Sequence, residues 1–242
     1  MIELFKLDHS LNFPAHQLAL SEPNGLLAFG GDLSPERLLH AYKNGIFPWF
    51  SEGEPILWWT PNPRGIINLT TYQPSRSLRK NVRKYNYRAT MNHAFDAVIK
   101  KCATIPRHIE KNTENPNSTW ITNEMIHAYI DLHYMGHAHS VEIWDTNNTL
   151  VGGLYGIALN NIFCGESMFH VSTDASKAAL WALAEHMRAF GMPIIDCQMS
   201  NPHLTSLGCE EIDRDNFLHI LKQASETEVG AECWKKQTLF FK

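Results

Sequence analysis

Between residues 140 and 198 the chain carries a succession of hydrophobic patterns that few architectures can satisfy. Three strand-like runs, 140–144, 150–159 and 162–169, are separated by turn residues at 145–148 and at Asn160-Asn161. Short polar turns between consecutive strands give an antiparallel meander. The period then changes: Ser172 or Thr173 can cap a helix in which Ala179, Leu180, Leu183, Met187 and Phe190 form one apolar stripe before Gly191. Residues 193–198 read as a short apolar strand ending in Asp196-Cys197-Gln198. Strand side chains alternate, so Asp196 and Gln198 are expected to share a face.

A meander feeding a helix and then a strand with a polar end is the order found in acyltransferases of the acyl-CoA N-acyltransferase (GNAT) type, and the fold class expected is α+β. Upstream, 34–45 reads as a capped helix: Ser34 accepts from early N–H groups, Pro35 loses no bond there, and Gly45 closes the end. Residues 46–64 hold Trp49, Trp58, Trp59 and several prolines, which predicts rigid aromatic loops, with a domain junction near residue 70. Residues 75–101 read as mostly helical, 105–119 as a loop, 123–135 and 216–224 as helices.

Charge is segregated. The net charge is −4, yet between residues 75 and 88 stand Arg76, Arg79, Lys80, Arg83, Lys84 and Arg88 with no acid among them. Cations three and four apart share a helix face and can track a phosphate backbone; a solvated face is the ordinary alternative. No apolar run approaches the roughly 20 residues of a membrane span, and the first residues lack the pattern of a secretion signal. Cys102, Cys164, Cys197, Cys209 and Cys233 are odd in number and form no C-x-x-C pair, so reduced thiols in a cytoplasm are expected.

Candidate chemistry concentrates where carboxylates interrupt apolar strands, at Glu166 and at Asp196 with Gln198. Desolvated carboxyls serve as acids, bases or electrostatic anchors, but backbone donors can equally satisfy a purely structural one; spacing leaves both open. The tryptophans can stack nucleobases or pack a core. His133, His137 and His139 lack a carboxylate or thiol at ligand spacing, so no metal site is expected. Gly152, Gly153 and Gly156 lie inside a strand rather than at a strand-to-helix turn, which argues for backbone bending or close approach of a substrate instead of dinucleotide binding.

Several ordered motifs together resemble the bacterial leucyl/phenylalanyl-tRNA–protein transferases. They are Glu22-Pro23-Asn24-Gly25-Leu26-Leu27-Ala28, Gly30-Gly31-Asp32-Leu33-Ser34, Gly45-Ile46-Phe47-Pro48-Trp49-Phe50, Trp58-Trp59-Thr60-Pro61, Thr119-Trp120-Ile121-Thr122, His137-Ala138-His139-Ser140, Gly165-Glu166-Ser167-Met168-Phe169 and Ile195-Asp196-Cys197-Gln198. The resemblance runs from about residue 10 to residue 215. It implies a small N-terminal domain, 1–70, packed on a GNAT-like catalytic domain, 71–242. It also implies transfer of Leu or Phe, less readily Met, from aminoacyl-tRNA to proteins beginning with Arg or Lys, which marks them for degradation.

By position, the resemblance makes Asp196 and Gln198 the reaction-centre pair, assisted by Glu166. Trp49 and Trp120 would hold the terminal adenosine, and Tyr42, Tyr129 and Asn201 would line the shared substrate site. Leu154, Met168, Leu180, Leu183 and Ile195 would form the apolar side-chain pocket. The chain departs from the family pattern at Leu154 and Leu183, where longer side chains are expected, and in a longer 105–117 loop. No cofactor is implied, and a cytoplasmic monomer is expected, with Arg76, Arg79, Lys80, Arg83 and Lys84 on tRNA phosphates.

Two rivals remain. A GNAT enzyme using acetyl-coenzyme A needs a glycine-rich turn at a helix N-terminus to cradle pyrophosphate, and Met168-Phe169-His170-Val171-Ser172-Thr173-Asp174-Ala175 supplies no glycine there. A non-enzymatic RNA-binding module would use the cations but leaves Glu166, Asp196 and Gln198 unexplained.

Overall fold

The computed structural model describes residues 4–105 and 120–242. The first part forms a small sheet from β1 (Phe5–Leu7), β2 (Leu26–Gly30), β3 (Phe47–Pro48) and β4 (Leu57–Trp59), in the order β1-β2-β4-β3, with α1 (Pro35–Lys43) between β2 and β3. Ser34 caps α1 by accepting from the Arg37 N–H, and Gly45 closes it at φ 70°, a left-handed value glycine adopts without steric cost. The aromatic segment is more regular than its prolines suggest: Phe47 and Pro48 pair with Trp59 and Trp58. Trp58 is fully buried and donates to the Gly30 carbonyl at 2.9 Å, which makes it core.

The rest is built on a larger sheet. Its elements in chain order are β5 (Arg64–Asn68), α2 (Arg76–Tyr85), β6 (Arg88–Met91), α3 (Phe95–Thr104), α4 (Asn123–Tyr134), β7 (Ala138–Trp144), β8 (Leu150–Leu159), β9 (Ile162–His170), α5 (Ala175–Ala189), β10 (Ile194–Gln198), α6 (Pro202–Ser206), β11 (Cys209–Ile212), α7 (Arg214–Ser225) and β12 (Gln237–Leu239). The order is β11-β5-β10-β9-β8-β7-β6-β12, antiparallel except for the parallel pair β9–β10. The architecture is therefore mixed α and β with a small N-terminal region. The chain passes from one sheet to the other between Trp59 and Arg64.

Two expectations are corrected. Residues 75–101 are not one helical stretch, because Asn86 ends α2 at φ 50° and Arg88–Met91 then pairs with β7. Helix α5 starts at Ala175 behind Asp174 at φ 59°, without the expected hydroxyl cap from Ser172 or Thr173. Residues 106–119 of the expected loop lie outside the described residues.

The larger sheet separates two cores. One gathers α1, α3, α4, α7 and the small sheet against one face, including Tyr42, Tyr129, Tyr155 and Phe217. The other packs α2 and α5 against the opposite face, through Leu78, Val82, Leu180, Leu183 and Met187. Burial on both faces suits the near-continuous apolar runs of β8 and β9. Gly152 and Gly156 are required by close approach, as expected, but the approaching atoms are the protein's own. A Cβ on Gly152 would fall 2.5 Å from that of Ala175, and one on Gly156 would fall 2.1 Å from the Cys164 carbonyl oxygen.

Candidate active site

Two bulges re-aim the candidate residues. Opposite β8, Gly165 pairs with Gly156 and Ser167 with Tyr155, which leaves Glu166 as the extra residue of β9. The bulge reverses the faces of the strand. Phe163 packs toward α5 and Cys164 toward α4, whereas beyond Glu166 it is Met168 that meets the α5 core and Phe169 the other. On β10 the pairing with β5 shifts between Asp196 and Gln198, and Gln198 sits at φ 66°. Simple alternation between Asp196 and Gln198 is thus interrupted at Cys197. The parallel ladder between β9 and β10 ends at Cys164–Asp196, so Glu166 and Gln198 lie just past it.

There the structure joins residues from four elements. The Glu166 carboxyl accepts from Tyr42 Oη at 2.6 Å and Gln198 Nε2 at 2.8 Å on Oε1, and from Tyr129 Oη at 3.1 Å on Oε2. The two phenol oxygens also meet each other, and since each carries one proton, a Tyr42–Tyr129 hydrogen bond takes the place of one phenol's donation to Glu166 or accompanies a protonated Glu166. Tyr42 comes from α1 and Tyr129 from α4, and both are fully buried. Burial raises the Glu166 pKa to about 7; hydrogen bonds from Tyr42, Tyr129 and Gln198 oppose the rise, while the charge of Asp196 adds to it. Burial, followed by the Glu166 charge, also pushes both phenols well above their usual value, so they remain neutral donors.

Asp196 is engaged differently. It is fully buried, and Arg64, also buried, meets it with two nitrogens, Nε to Oδ1 at 2.8 Å and Nη2 to Oδ2 at 2.7 Å. Its Oδ1 accepts the Gln198 backbone N–H at 2.9 Å as well. Arg64 Nη1 donates to the Gly45 carbonyl at 3.0 Å, and the guanidinium lies over the rings of Phe47 and Phe217. Sequence reasoning gave Arg64 no role. The one available signal was a lone arginine opening an otherwise apolar strand, Gly65-Ile66-Ile67.

The other expected residues fall into three places. Trp49 is 39% exposed beside Trp59, and Trp120 is half-buried against the α4 core. Asn201 is exposed and caps α6, accepting from the Leu204 N–H at 2.8 Å. Leu154, Leu180, Leu183 and Ile195 are buried together with Met168 packed on them, on the α5 side, away from Tyr42 and Tyr129. On α2, Arg76, Lys80, Arg83 and Lys84 are exposed, whereas Arg79 is half-buried, reaches Gln73 and Pro74, and lies over the Trp181 ring. His139 is buried, accepts at Nδ1 from the Asn92 side-chain amide and stacks on Trp234; burial pushes its pKa down to about 3.

A half-open amide, backed by a carboxyl that ionises near neutrality, can hold an amine and exchange its proton, as a group-transfer enzyme with amine acceptors requires. Sequence comparison gives the family. The leucyl/phenylalanyl-tRNA protein transferase pattern matches residues 66–222 and its N-terminal domain pattern matches 31–62. The chain is 54% identical to the leucyl/phenylalanyl-tRNA–protein transferase of Pseudoalteromonas atlantica over 99% of each chain. It is 53% identical to that of Tolumonas auensis over 98% of each, and 52% identical to that of Vibrio atlanticus over 98% of each. The chain belongs to the leucyl/phenylalanyl-tRNA–protein transferase family. Among solved structures, L-PGS from Bacillus licheniformis aligns with a TM-score of 0.40 at 10% identity, over 69% of this chain and 51% of that one, too distant to refine the fold.

Proposed function

We propose that this chain moves leucine or phenylalanine, less readily methionine, from aminoacyl-tRNA to the N-terminal Arg or Lys of acceptor proteins. The product is a peptide bond that marks the acceptor for degradation by the N-end rule (N-degron) route. The observation that carries the reading is overall identity above half across 98–99% of this chain and of its relatives, a span that takes in the strands bearing Glu166, Asp196 and Gln198.

In this reading the acceptor's α-amine attacks the ester carbonyl of the aminoacyl-tRNA. The carbon–nitrogen bond forms as the bond to the terminal ribose oxygen breaks, and that oxygen leaves as a hydroxyl with the amine's proton. An α-amine of pKa about 8 is partly neutral at pH 7, so no strong base is needed. Because Gln198 gives its amide nitrogen to Glu166, its amide oxygen is left to accept from the amine. Gln198 and Glu166 then form the reaction centre, with Asp196 beneath them. Tyr42, Tyr129 and Asn201 border it, Trp49 and Trp120 hold the terminal adenosine, and Leu154, Met168, Leu180, Leu183 and Ile195 receive the apolar side chain. Arg76, Lys80, Arg83 and Lys84 contact tRNA phosphates, with Arg79 shaping that surface through Trp181.

The catalytic part, 71–242, is GNAT-like in this reading, supported by the order β7-β8-β9-α5-β10 and the parallel β9–β10 pair. The small domain, expected over residues 1–70, is better drawn as ending before Arg64, because β5 lies within the larger sheet between β11 and β10. The protein works as a cytoplasmic monomer; no helix among the described residues is long and apolar enough to cross a membrane. Acetyl-coenzyme A is disfavoured by Asp174, whose carboxylate precedes α5 where pyrophosphate would sit. The test offers Leu-tRNA and acetyl-coenzyme A in parallel with an Arg-starting peptide. Leucylation without acetylation is expected, and acetylation alone would overturn the reading.

A further inference from the structure

The two carboxyls of the centre are built in opposite ways, although they lie on neighbouring strands. Asp196 meets a guanidinium through both oxygens; Glu166 meets only neutral donors, Tyr42, Tyr129 and Gln198. A planar fork matching both carboxylate oxygens is a geometry that arginine supplies and lysine does not. Arg64 has no freedom to release its partner. Its three guanidinium nitrogens are all engaged, Phe47 and Phe217 lie 5.0 and 4.5 Å from it, and both members of the pair are at most 1% exposed. Gly45, whose carbonyl takes the third nitrogen, is itself confined, since a Cβ there would fall 2.6 Å from Leu218.

We infer that Arg64 is a positioning residue: its two-nitrogen grip fixes the Asp196 carboxyl, whose oxygen holds the Gln198 backbone, and so leaves Glu166, met only by neutral donors, as the carboxyl of the centre placed to exchange a proton. This deepens the proposed reading of the site and rests on it. Asp196 then acts through Gln198 and not as the base that takes the amine's proton. The bulge and positive φ at Gln198 are the backbone expression of that grip.

The groups facing Glu166 are Tyr42 from α1, Tyr129 from α4, Asp196 and Gln198 from β10 and Cys164 from its own strand, with Tyr155 of β8 behind Tyr129 and Arg64 of β5 one step further, against Asp196, Cys164 and Tyr42. Burial, and next Asp196, keeps the Cys164 thiol protonated, so among these groups the fixed charges are Arg64 and Asp196, of opposite sign, with Asp196 felt directly at Glu166. Removing either one must therefore move the ionisation of Glu166, and in opposite directions. That reversal reads the charges; the positioning role is read separately, by a variant that keeps the charge of Arg64 and loses its fork.

The experiment is a carbon-13 titration of the Glu166 carboxyl in the free, full-length protein, comparing wild type with Asp196→Asn and Arg64→Gln. Asp196→Asn leaves an unbalanced cation and is expected to lower the midpoint by about one pH unit or more; Arg64→Gln leaves an unbalanced anion and is expected to raise it by a similar amount. If Arg64→Gln does not fold, Arg64→Lys keeps the charge and loses the fork: its Glu166 midpoint should stay near wild type while kcat falls roughly tenfold or more at a tRNA KM within about twofold. An Asp196→Asn midpoint that stays put or rises, or an Arg64→Lys enzyme with wild-type kcat, overturns the inference. The titration needs no substrate, so a chain that failed to transfer leucine would overturn the proposed function and leave this result standing.

Discussion

Gln198 is held by Glu166 and Asp196 at two different atoms: its side-chain nitrogen donates to Glu166 at 2.8 Å and its backbone nitrogen donates to Asp196 at 2.9 Å. One residue is thus oriented by a carboxyl that titrates and by a carboxylate locked to arginine. The amide oxygen is what remains for an incoming amine, and the consequences below follow from that division.

Glu166 should cost stability as the medium becomes alkaline. Its folded pKa, about 7, lies above the ordinary value of 4.5, so between these values the folded chain holds a proton that the unfolded chain releases. Unfolding free energy therefore gains a downward slope with pH across that window, and the loss is complete above about 7. Glu166→Gln removes the slope. Urea unfolding at both ends of the window should show the variant gaining on wild type toward the alkaline end; parallel profiles would mean that Glu166 ionises normally in the folded protein.

Lys80, Arg83 and Lys84 are exposed on α2, on the α5 side of the larger sheet, whereas Tyr42 and Tyr129 approach Glu166 from the other side. Reversing the charges of these three should weaken transfer from whole Leu-tRNA by roughly tenfold or more and reduce its dependence on salt, while transfer from a minimal aminoacyl-adenosine donor stays near wild type. Equal loss with both donors would place these cations in the reaction centre instead. Arg79 is left out because its stacking on Trp181 mixes packing with charge.

Much of this was legible and some was not, for identifiable reasons. The three meander strands, α1 with its Ser34 cap, α4, α7 and β10 follow from period and capping, which are local. Strands β5, β6, β11 and β12 are short and take their identity from partners elsewhere in the chain, so local pattern does not reveal them. In the site, Glu166, Asp196 and Gln198 stood out as polar residues in apolar strands. Arg64 did not, because its partner lies 132 residues away and only the fold brings them together. The bulge at Glu166 was hidden as well: an inserted residue looks like any other in the sequence, yet it reverses which side chains meet which core.

Leu183 and Leu154 are both buried in the cluster proposed to receive the donor's side chain. Leu183→Ala should raise the ratio of Phe to Leu transfer several-fold, because one methylene in an apolar pocket is worth about 1–3 kcal/mol. Truncating a buried leucine also costs about 2–5 kcal/mol of stability, so the ratio of kcat/KM values, not either value alone, is the readout. An unchanged ratio would remove Leu183 from the pocket.

The central claim is that this chain builds a peptide bond at the centre organised by Gln198. Leucine transfer from Leu-tRNA to an Arg-starting peptide, measured by mass spectrometry under single-turnover conditions, tests it with wild type and Gln198→Ala side by side. The account predicts a peptide leucylated on its α-amine by wild type, and a rate lower by roughly 10²-fold in the variant at nearly unchanged tRNA affinity. No leucylated peptide from wild type, or an equal rate from Gln198→Ala, would contradict it.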